Sequence, residues 1–300
     1  MTRRGLLLFA AMCVLWGIPY LLIRVAVREL TPATLVFART AIGALVLLPI
    51  AAMNGGLRPL LRHWVPILVF AGVEIALPWV LLSHAETHLS SSLTGLLIAA
   101  VPLVGAVITR TTGARERLGS TNLLGLALGL VGVGALVGLD LSGLSAVALV
   151  EIALVAICYA IGPIVLSRHL SGLSSLGVIA VSLGLCALAY APVAAFELPS
   201  RVPSWKATSS VLVLAVICSA LAFVLFFALI AEIGPVRATV ITYVNPAVAA
   251  VLGVGILSES FTMGMGVGFA LILVGSVLAT RAGRTTAFER EPLAATADRY

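Results

Sequence analysis

Apolar side chains fill long, unbroken runs along this chain, and polar residues collect in the short gaps between them. A membrane β-barrel would show short segments that alternate at a period of two. These runs are apolar on every face and close to 20 residues long, which lets each cross a hydrocarbon core of about 30 Å as a helix. Ten such spans are read, at 5–27, 32–53, 63–83, 89–109, 119–139, 145–166, 174–196, 208–230, 235–257 and 261–281. Pro, Gly, Ser or charge marks the junctions, as at Thr31-Pro32, Asn54-Gly55-Gly56, Ser171-Gly172 and Gly234-Pro235. The gaps are short except 197–207, and residues 282–300 form a polar tail expected to be disordered.

Composition agrees with the pattern. Of the 300 residues, 61% are hydrophobic and 10% charged, and mean hydropathy is +1.18. A soluble domain carries about a quarter of its residues charged, so the expected class is an all-α integral membrane protein with ten transmembrane helices. Cys13, Cys158, Cys186 and Cys218 all lie inside apolar runs, where they pack as small hydrophobes and suggest neither a disulfide nor a zinc site. Arg3 and Arg4 before an apolar run resemble the start of a signal peptide. The run continues through Val27 without a small-residue cleavage site, which reads as a retained first helix.

Basic residues set the expected orientation. With the N-terminus in the cytoplasm, the cytoplasmic segments hold Arg3, Arg4, Arg58, Arg62, Arg110, Arg115, Arg117, Arg168, Arg237, Arg281, Arg284, Arg290 and Arg299. The outer loops hold only Arg28, Arg201 and Lys206. A basic face toward anionic lipid accounts for the net charge of +6 without a nucleic-acid partner.

The sequence also repeats itself. At an offset of 143, residues 14–49 overlay 157–192 without a gap, with Ile18, Leu30, Ala44, Leu45 and Pro49 identical to their partners. After one inserted residue, VPLVGAVI (101–108) falls on NPAVAAVL (245–252). The original offset then returns, and GLALGLVG (125–132) matches GFALILVG (268–275) at six of eight positions. Each copy, 5–139 and 145–281, holds five spans, and an odd number places the second copy in the membrane upside down. The gap RTTGARERL (110–118) carries three arginines, whereas its counterpart VGILSESF (254–261) carries none, as opposite sides of the bilayer require. Inverted repeats are the architecture of alternating-access transporters, whose substrate site lies near the midplane between the copies.

With these motifs in place, the chain resembles the EamA-type transporters of the drug/metabolite transporter superfamily. The residues that carry the likeness are LWGIPYLLIR followed by TPATLVFAR, the prolines of VPLVGAVI and NPAVAAVLG, and a Glu ahead of the last helix of each copy, in ARERLGSTNLLG and LSESFTMGMGVG. CYAIGP, which opens the second copy, departs from LWGIPY of the first. The resemblance implies a ten-helix exporter or exchanger of small molecules, with substrates that range from amino acids to nucleotide-linked sugars and drugs.

Ionisable and aromatic residues inside the spans are the candidate site. Glu74 lies about 15 Å along the third span from Trp64, close to mid-bilayer. A carboxylate there costs several kcal/mol unless it is paired, protonated or wetted. Its counterpart is Ile217 or Cys218, so the fold does not demand an acid at that place. Pro78 has no N–H for the Glu74 carbonyl, which leaves that oxygen open to another partner. Glu74 is read as a substrate-binding or proton-carrying group, against a structural pair with another helix such as Arg39. Glu151, two turns into the sixth span, either serves the site or snorkels outward. Arg39 either meets an acidic substrate group or holds Glu74 or Glu151, while Arg24 snorkels. Trp16 and Tyr159 are repeat mates at mid-helix and either flank an amphipathic substrate or fill the core. Tyr243 and Asn245 precede Pro246. The prolines at 19, 78, 102, 163 and 246 free backbone carbonyls that can line a polar space or merely kink their helices.

The remaining motifs weigh differently. SHAETH (83–88) spaces His84 and His88 four apart, yet Glu86 is one position off the zincin pattern. A metal-dependent, membrane-embedded enzyme built on His84, Glu86 and His88 is the rival reading; the leading one assigns no metal, no cofactor and no catalytic residue. Glu116 and Glu259 precede helices and are read as favouring positive helix ends. Gly125, Gly129, Gly132, Gly264, Gly266, Gly268 and Gly275 are read as packing residues; no Gly-Lys-Ser follows to make a nucleotide loop. The expected protein is a multi-pass secondary transporter of small polar or amphipathic metabolites in the cell membrane, with both termini cytoplasmic. Its partners are lipid and a small-molecule substrate, and a monomer and a homodimer both remain open.

Overall fold

The computed structural model describes residues 2–54, 57–111, 120–138, 145–234, 238 and 240–280, and no strand occurs among them. Ten helices follow one another: α1 (Arg3–Ala26), α2 (Pro32–Met53), α3 (Arg58–His88), α4 (Ser91–Ile108), α5 (Ser120–Val137), α6 (Ala146–His169), α7 (Ser175–Phe196), α8 (Trp205–Ile233), α9 (Ile241–Leu257) and α10 (Met263–Thr280). All but the shorter α9 have the length and hydropathy to cross a membrane. Large apolar side chains such as Leu45, Leu130, Leu188 and Val251 are exposed on the outside of the bundle, as contact with lipid tails requires. The chain is an all-helical membrane protein. The tail 282–300, most of the 110–118 gap, Glu116, Arg237 and Arg281 lie outside the described residues.

Serines and threonines start these helices. Thr2, Thr31, Ser90, Ser145, Ser174 and Ser204 each accept a backbone N–H three residues on. This satisfies a donor that water cannot reach at the edge of the hydrocarbon. The third and eighth helices run longer than the hydropathy pattern places them, α3 to His88 and α8 from Trp205 to Ile233. At these ends His84 pairs with Glu151 and Ser204 caps the start of α8.

Two helices change geometry inside the membrane at repeat-related places. α3 passes into π-helix at Ala71–Ala76, and the N–H of Leu77 bonds Gly72, five residues back. This slip lies just ahead of Pro78, which has no N–H to offer the carbonyl of Glu74. α8 is π-helical over Val213–Leu221, the matching stretch at an offset of 143. No proline causes that one; the Ser219 hydroxyl bonds the Leu214 carbonyl at 2.8 Å instead. Two carbonyls at the ends of the α3 π segment accept from α7: Cys186 Sγ donates to Ala71 at 3.5 Å and Tyr190 Oη to Ala76 at 3.0 Å.

Packing follows the repeat. α2 lies on α7, α4 on α9, and α5 on α10, each helix against its own counterpart. α1 packs on the second half of α8, and the second half of α3 packs on α6, which is the same pair with the copies exchanged. The α5–α10 contact is backbone-close: a Cβ at Gly132 would come within 2.7 Å of the Gly268 carbonyl, and one at Gly275 within 2.6 Å of the Gly125 carbonyl. These glycines are therefore packing residues. The four cysteines are free and buried.

Candidate functional site

Polar and charged side chains enclosed within the bundle gather where α1, α2, α3, α6 and α8 meet. The π segment of α3 turns Glu74 toward α6, where its carboxyl lies against Gly162: a Cβ there would sit 2.9 Å from Cδ of Glu74. Oε2 of Glu74 is enclosed and has no hydrogen-bond partner. Cys158 and Tyr159, one turn earlier on α6, are within electrostatic reach of the same carboxyl.

Arg39 does not pair with Glu74 or Glu151. It is 6% exposed, donates from Nε to Ser219 Oγ at 2.9 Å, and lays its guanidinium over the Trp79 ring at 3.6 Å from the centroid. Among the described residues no carboxylate forms an ion pair with it. Ser219 belongs to the π segment of α8 and Trp79 follows the π segment of α3. The two irregular stretches thus hold a buried cation between them. Its charge is met by an aromatic face and a hydroxyl, not by a counter-ion. Tyr20 on α1 and Tyr159 on α6 are within electrostatic reach of Arg39.

Glu151 pairs elsewhere. His84 Nδ1 approaches its two oxygens at 2.8 and 3.0 Å, joining α3 to α6 at the end of the bundle that holds the α3–α4 turn. Trp16 sits in a separate aromatic group, 4.7 Å from the Phe226 ring and 5.8 Å from Phe223. It lies at the break of α1, whereas its repeat mate Tyr159 faces the Glu74–Arg39 region. Asn245 is buried and ties helices together: with its carboxamide assigned so that the nitrogen faces the two carbonyls nearby, it donates to Ile241 at 3.0 Å and Cys13 at 3.1 Å. The Cys13 carbonyl needs that donor because Gly17 N–H bonds Val14, so the regular bond to Cys13 is missing. Tyr243 is half-buried on α9.

SHAETH splits across two faces. His84 goes to Glu151, the His88 ring lies tilted 5.3 Å from that of His84, and Glu86 turns inward to full burial. Glu86 does not join the two histidines, and the described residues contain no group of three His, Cys, Asp or Glu arranged to hold a metal.

Carboxylates also join the two copies at helix starts. Glu259 accepts from the backbone N–H of Ser91 and of Ser92, both at 2.8 Å, and from both hydroxyls. It therefore caps α4 of the other copy and not the α10 that follows it. Burial raises its pKa, but the Ser92 and Ser91 bonds outweigh this and hold Glu259 below its ordinary value. Glu29 accepts from the N–H of Ser204, the N-cap of α8, at 2.6 Å, and its bonds from Ser204 lower its pKa. Glu197 accepts from Thr31, the N-cap of α2, at 2.6 Å.

Sequence reasoning missed Tyr20, Trp79, Ser219 and the burial of Glu86. Tyr20 and Trp79 each follow a proline by one residue, at Pro19 and Pro78. That adjacency is the signal that was available.

Comparison with known proteins gives one consistent result. The EamA-like transporter family matches residues 3–138 and 146–281. The chain is 28% identical over 273 residues to the "uncharacterized inner membrane transporter YedA" of Escherichia coli K12, covering 90% of this chain and 88% of that one. It is 25% identical over 281 residues to the "uncharacterized transporter YvbV" of Bacillus subtilis, with 92% and 91% covered. A solved crystal structure superposes with a TM-score of 0.66 at 20% identity, over 93% of this chain and 97% of that one; it shares the fold.

Proposed function

The chain belongs to the EamA-like transporter family of the drug/metabolite transporter superfamily, and from that premise we propose that it is a secondary transporter of small polar or amphipathic metabolites such as amino acids. It works by alternating access, as an exporter or exchanger, with proton coupling through Glu74. YedA is named an inner membrane transporter, and the same place is proposed here: a multi-pass protein of the inner or plasma membrane with both termini in the cytoplasm. In that orientation Glu29, Glu197, Glu259 and the His84–Glu151 pair lie at the outer end.

The observation that carries this reading is a buried cation and a buried acid that do not pair. Arg39 is met by Trp79 and Ser219, and Glu74 has an oxygen without a partner. A dry scaffold would gain by joining them or by replacing them with apolar groups. A transporter keeps them apart for a ligand with an acidic and a basic end. Arg39 then takes the substrate's acidic group, and Glu74 takes its amine or carries a proton in its place. Tyr159 offers its aromatic face to the substrate beside Glu74 and Arg39, and Trp16 and Tyr243 line the path to that site. Asn245 holds the break of α1 in place beside them, and Glu151 with His84 guards the outer approach.

Reconstitution in proteoliposomes tests the proposal. Radiolabelled amino acids, loaded inside and chased from outside, should show saturable counterflow, and an imposed pH gradient should change the flux. Glu74→Gln should remove that pH dependence; full pH-dependent flux in this variant would end the proton role. An inert vesicle across the amino-acid set would remove the substrate assignment.

A further inference from the structure

Glu86 lies on α3 at the end of the bundle opposite the cytoplasmic face proposed above, three turns beyond Glu74, or about 18 Å along the axis. It is 0% exposed, and neither carboxyl oxygen has a hydrogen-bond partner. The nearest cation is otherwise engaged: Nη1 of Arg24 donates to the backbone carbonyl of Glu86, not to its side chain. Among the described residues no ion pair includes Glu86. The repeat supplies an internal control. The counterpart of Glu86 is Leu229, also 0% exposed, or, with the inserted residue counted, Ile230. The fold fills that place with an aliphatic side chain when it has no other use for it.

A charged carboxylate left dry and unpaired would cost several kcal/mol, and selection for packing alone would give a Leu in both copies. We propose that Glu86 is a second proton-binding site, separate from Glu74, which holds a neutral carboxyl in this conformation. It gives up the proton only when α1 and α3 part and water, or the guanidinium of Arg24, reaches it. The step is a single protonation: the carboxylate takes one proton from water on the side of the α3–α4 turn, and returns it when that contact reopens.

The groups that face it are few. α1 presents Tyr20 and Arg24, and the turn before α10 presents Glu259, so one charge of each sign faces Glu86. α2 contributes Arg39, held by Ser219 and Trp79. α6 contributes Tyr159, toward Glu74, and Glu151, bound to His84. α4 adjoins with the neutral Thr94, whose hydroxyl is buried and unpartnered. On α3 itself His84 and His88 point away. The inference goes beyond the transport reading, since a buried proton here does not depend on which substrate is carried.

Infrared spectroscopy of the full chain in liposomes at neutral pH tests it without a substrate. The wild type should show a protonated-carboxyl C=O band that disappears in Glu86→Gln and persists in Glu74→Gln. Glu86→Leu, the residue that the other copy uses, should unfold at or above the wild-type temperature. It should also lose part of the decline in melting temperature as pH rises, because a proton bound in the native state ties stability to low pH. A Glu86→Gln spectrum that loses carboxylate bands instead would overturn the proposal. So would a Glu86→Leu variant destabilised as much as Arg24→Gln, which would mark a structural ion pair. Failure of amino-acid counterflow with the band present would defeat the transport reading alone. Pairing of pH-dependent, Glu74-dependent flux with no such band would defeat only this one.

Discussion

A guanidinium buried in a membrane protein has to be accounted for atom by atom, and Arg39 is accounted for by a ring and a hydroxyl. Nε is bound to Ser219 and the flat face lies on Trp79. Together these are worth about 2 kcal/mol or more. Lysine keeps the charge but not the plane or the fork. Arg39→Lys is therefore expected to raise the KM for amino-acid flux by about tenfold or more, measured in proteoliposomes, with the fold retained by thermal melt. Gly162 makes a similarly local claim. Its missing Cβ is the space that the Glu74 carboxyl occupies. Gly162→Ala should cost about 1–3 kcal/mol by overpacking and flatten the pH profile of flux as Glu74→Gln does. A profile unchanged in Gly162→Ala would mean that the position of this carboxyl does not matter. That Glu74 stands inside the third span was legible in the sequence, because an acid within an apolar run has no packing explanation. That Arg39 would not pair with it was not legible, because one of its two partners, Ser219, is contributed by a helix of the other copy.

At the scale of elements, irregular backbone is what places these side chains. Carbonyls of the α3 π segment are met by α7, and one in the α8 segment by its own Ser219. Tyr190→Phe removes the bond to Ala76 and should lower stability by about 0.5–1 kcal/mol, read as a fall in melting temperature with the helical content unchanged. Helix starts give a second test. Glu259 meets two N–H groups and two hydroxyls at the start of α4. Glu259→Ala should cost about 1–2 kcal/mol. The sign of its pH dependence follows from its lowered pKa. The carboxylate contributes fully above the ordinary value of 4.5 and is lost as pH falls through the lower folded value. The acid-side decline of melting temperature should therefore be shallower in Glu259→Ala than in the wild type. Sequence reading assigned Glu259 to the helix that follows it, since a carboxylate before a helix is the common case. The structure sends it to a helix of the other copy because the chain turns back at Ser258, which has φ of 55°.

Across the whole molecule, the two copies are joined at both ends. Glu29–Ser204, Glu197–Thr31 and Glu259–Ser91 link them at one end. Thr2 bonds Glu232 at the other, where Asn122 also donates to the carbonyls of Leu278 and Ala279. The glycine seam between α5 and α10 joins the copies backbone to backbone. Gly275→Leu should destabilise the fold by several kcal/mol (about 3 or more), or prevent its assembly, as measured by recovery of monodisperse protein. Orientation is tested by single-cysteine labelling in intact cells. A cysteine in 110–118 should react only after the membrane is opened, and one in 254–261 should react from outside. Labelling of both from the same side would end the inverted arrangement and the alternating-access reading with it.

The sequence alone determined the spans, the doubled pattern and the mid-depth acid, because length and hydropathy are local properties of the chain and the bilayer reads them segment by segment. The partners were decided only in the folded bundle: Arg39 on Trp79 and Ser219, Glu151 on His84, Asn245 on the Cys13 carbonyl, Glu86 sealed from any counter-ion. A helix that is apolar on all sides carries no mark of which face turns inward. Rotation about its axis is set by close packing of small residues and by the few hydrogen bonds available in hydrocarbon. Those contacts join residues 40 to 232 positions apart in the sequence, and they exist only once the helices have crossed.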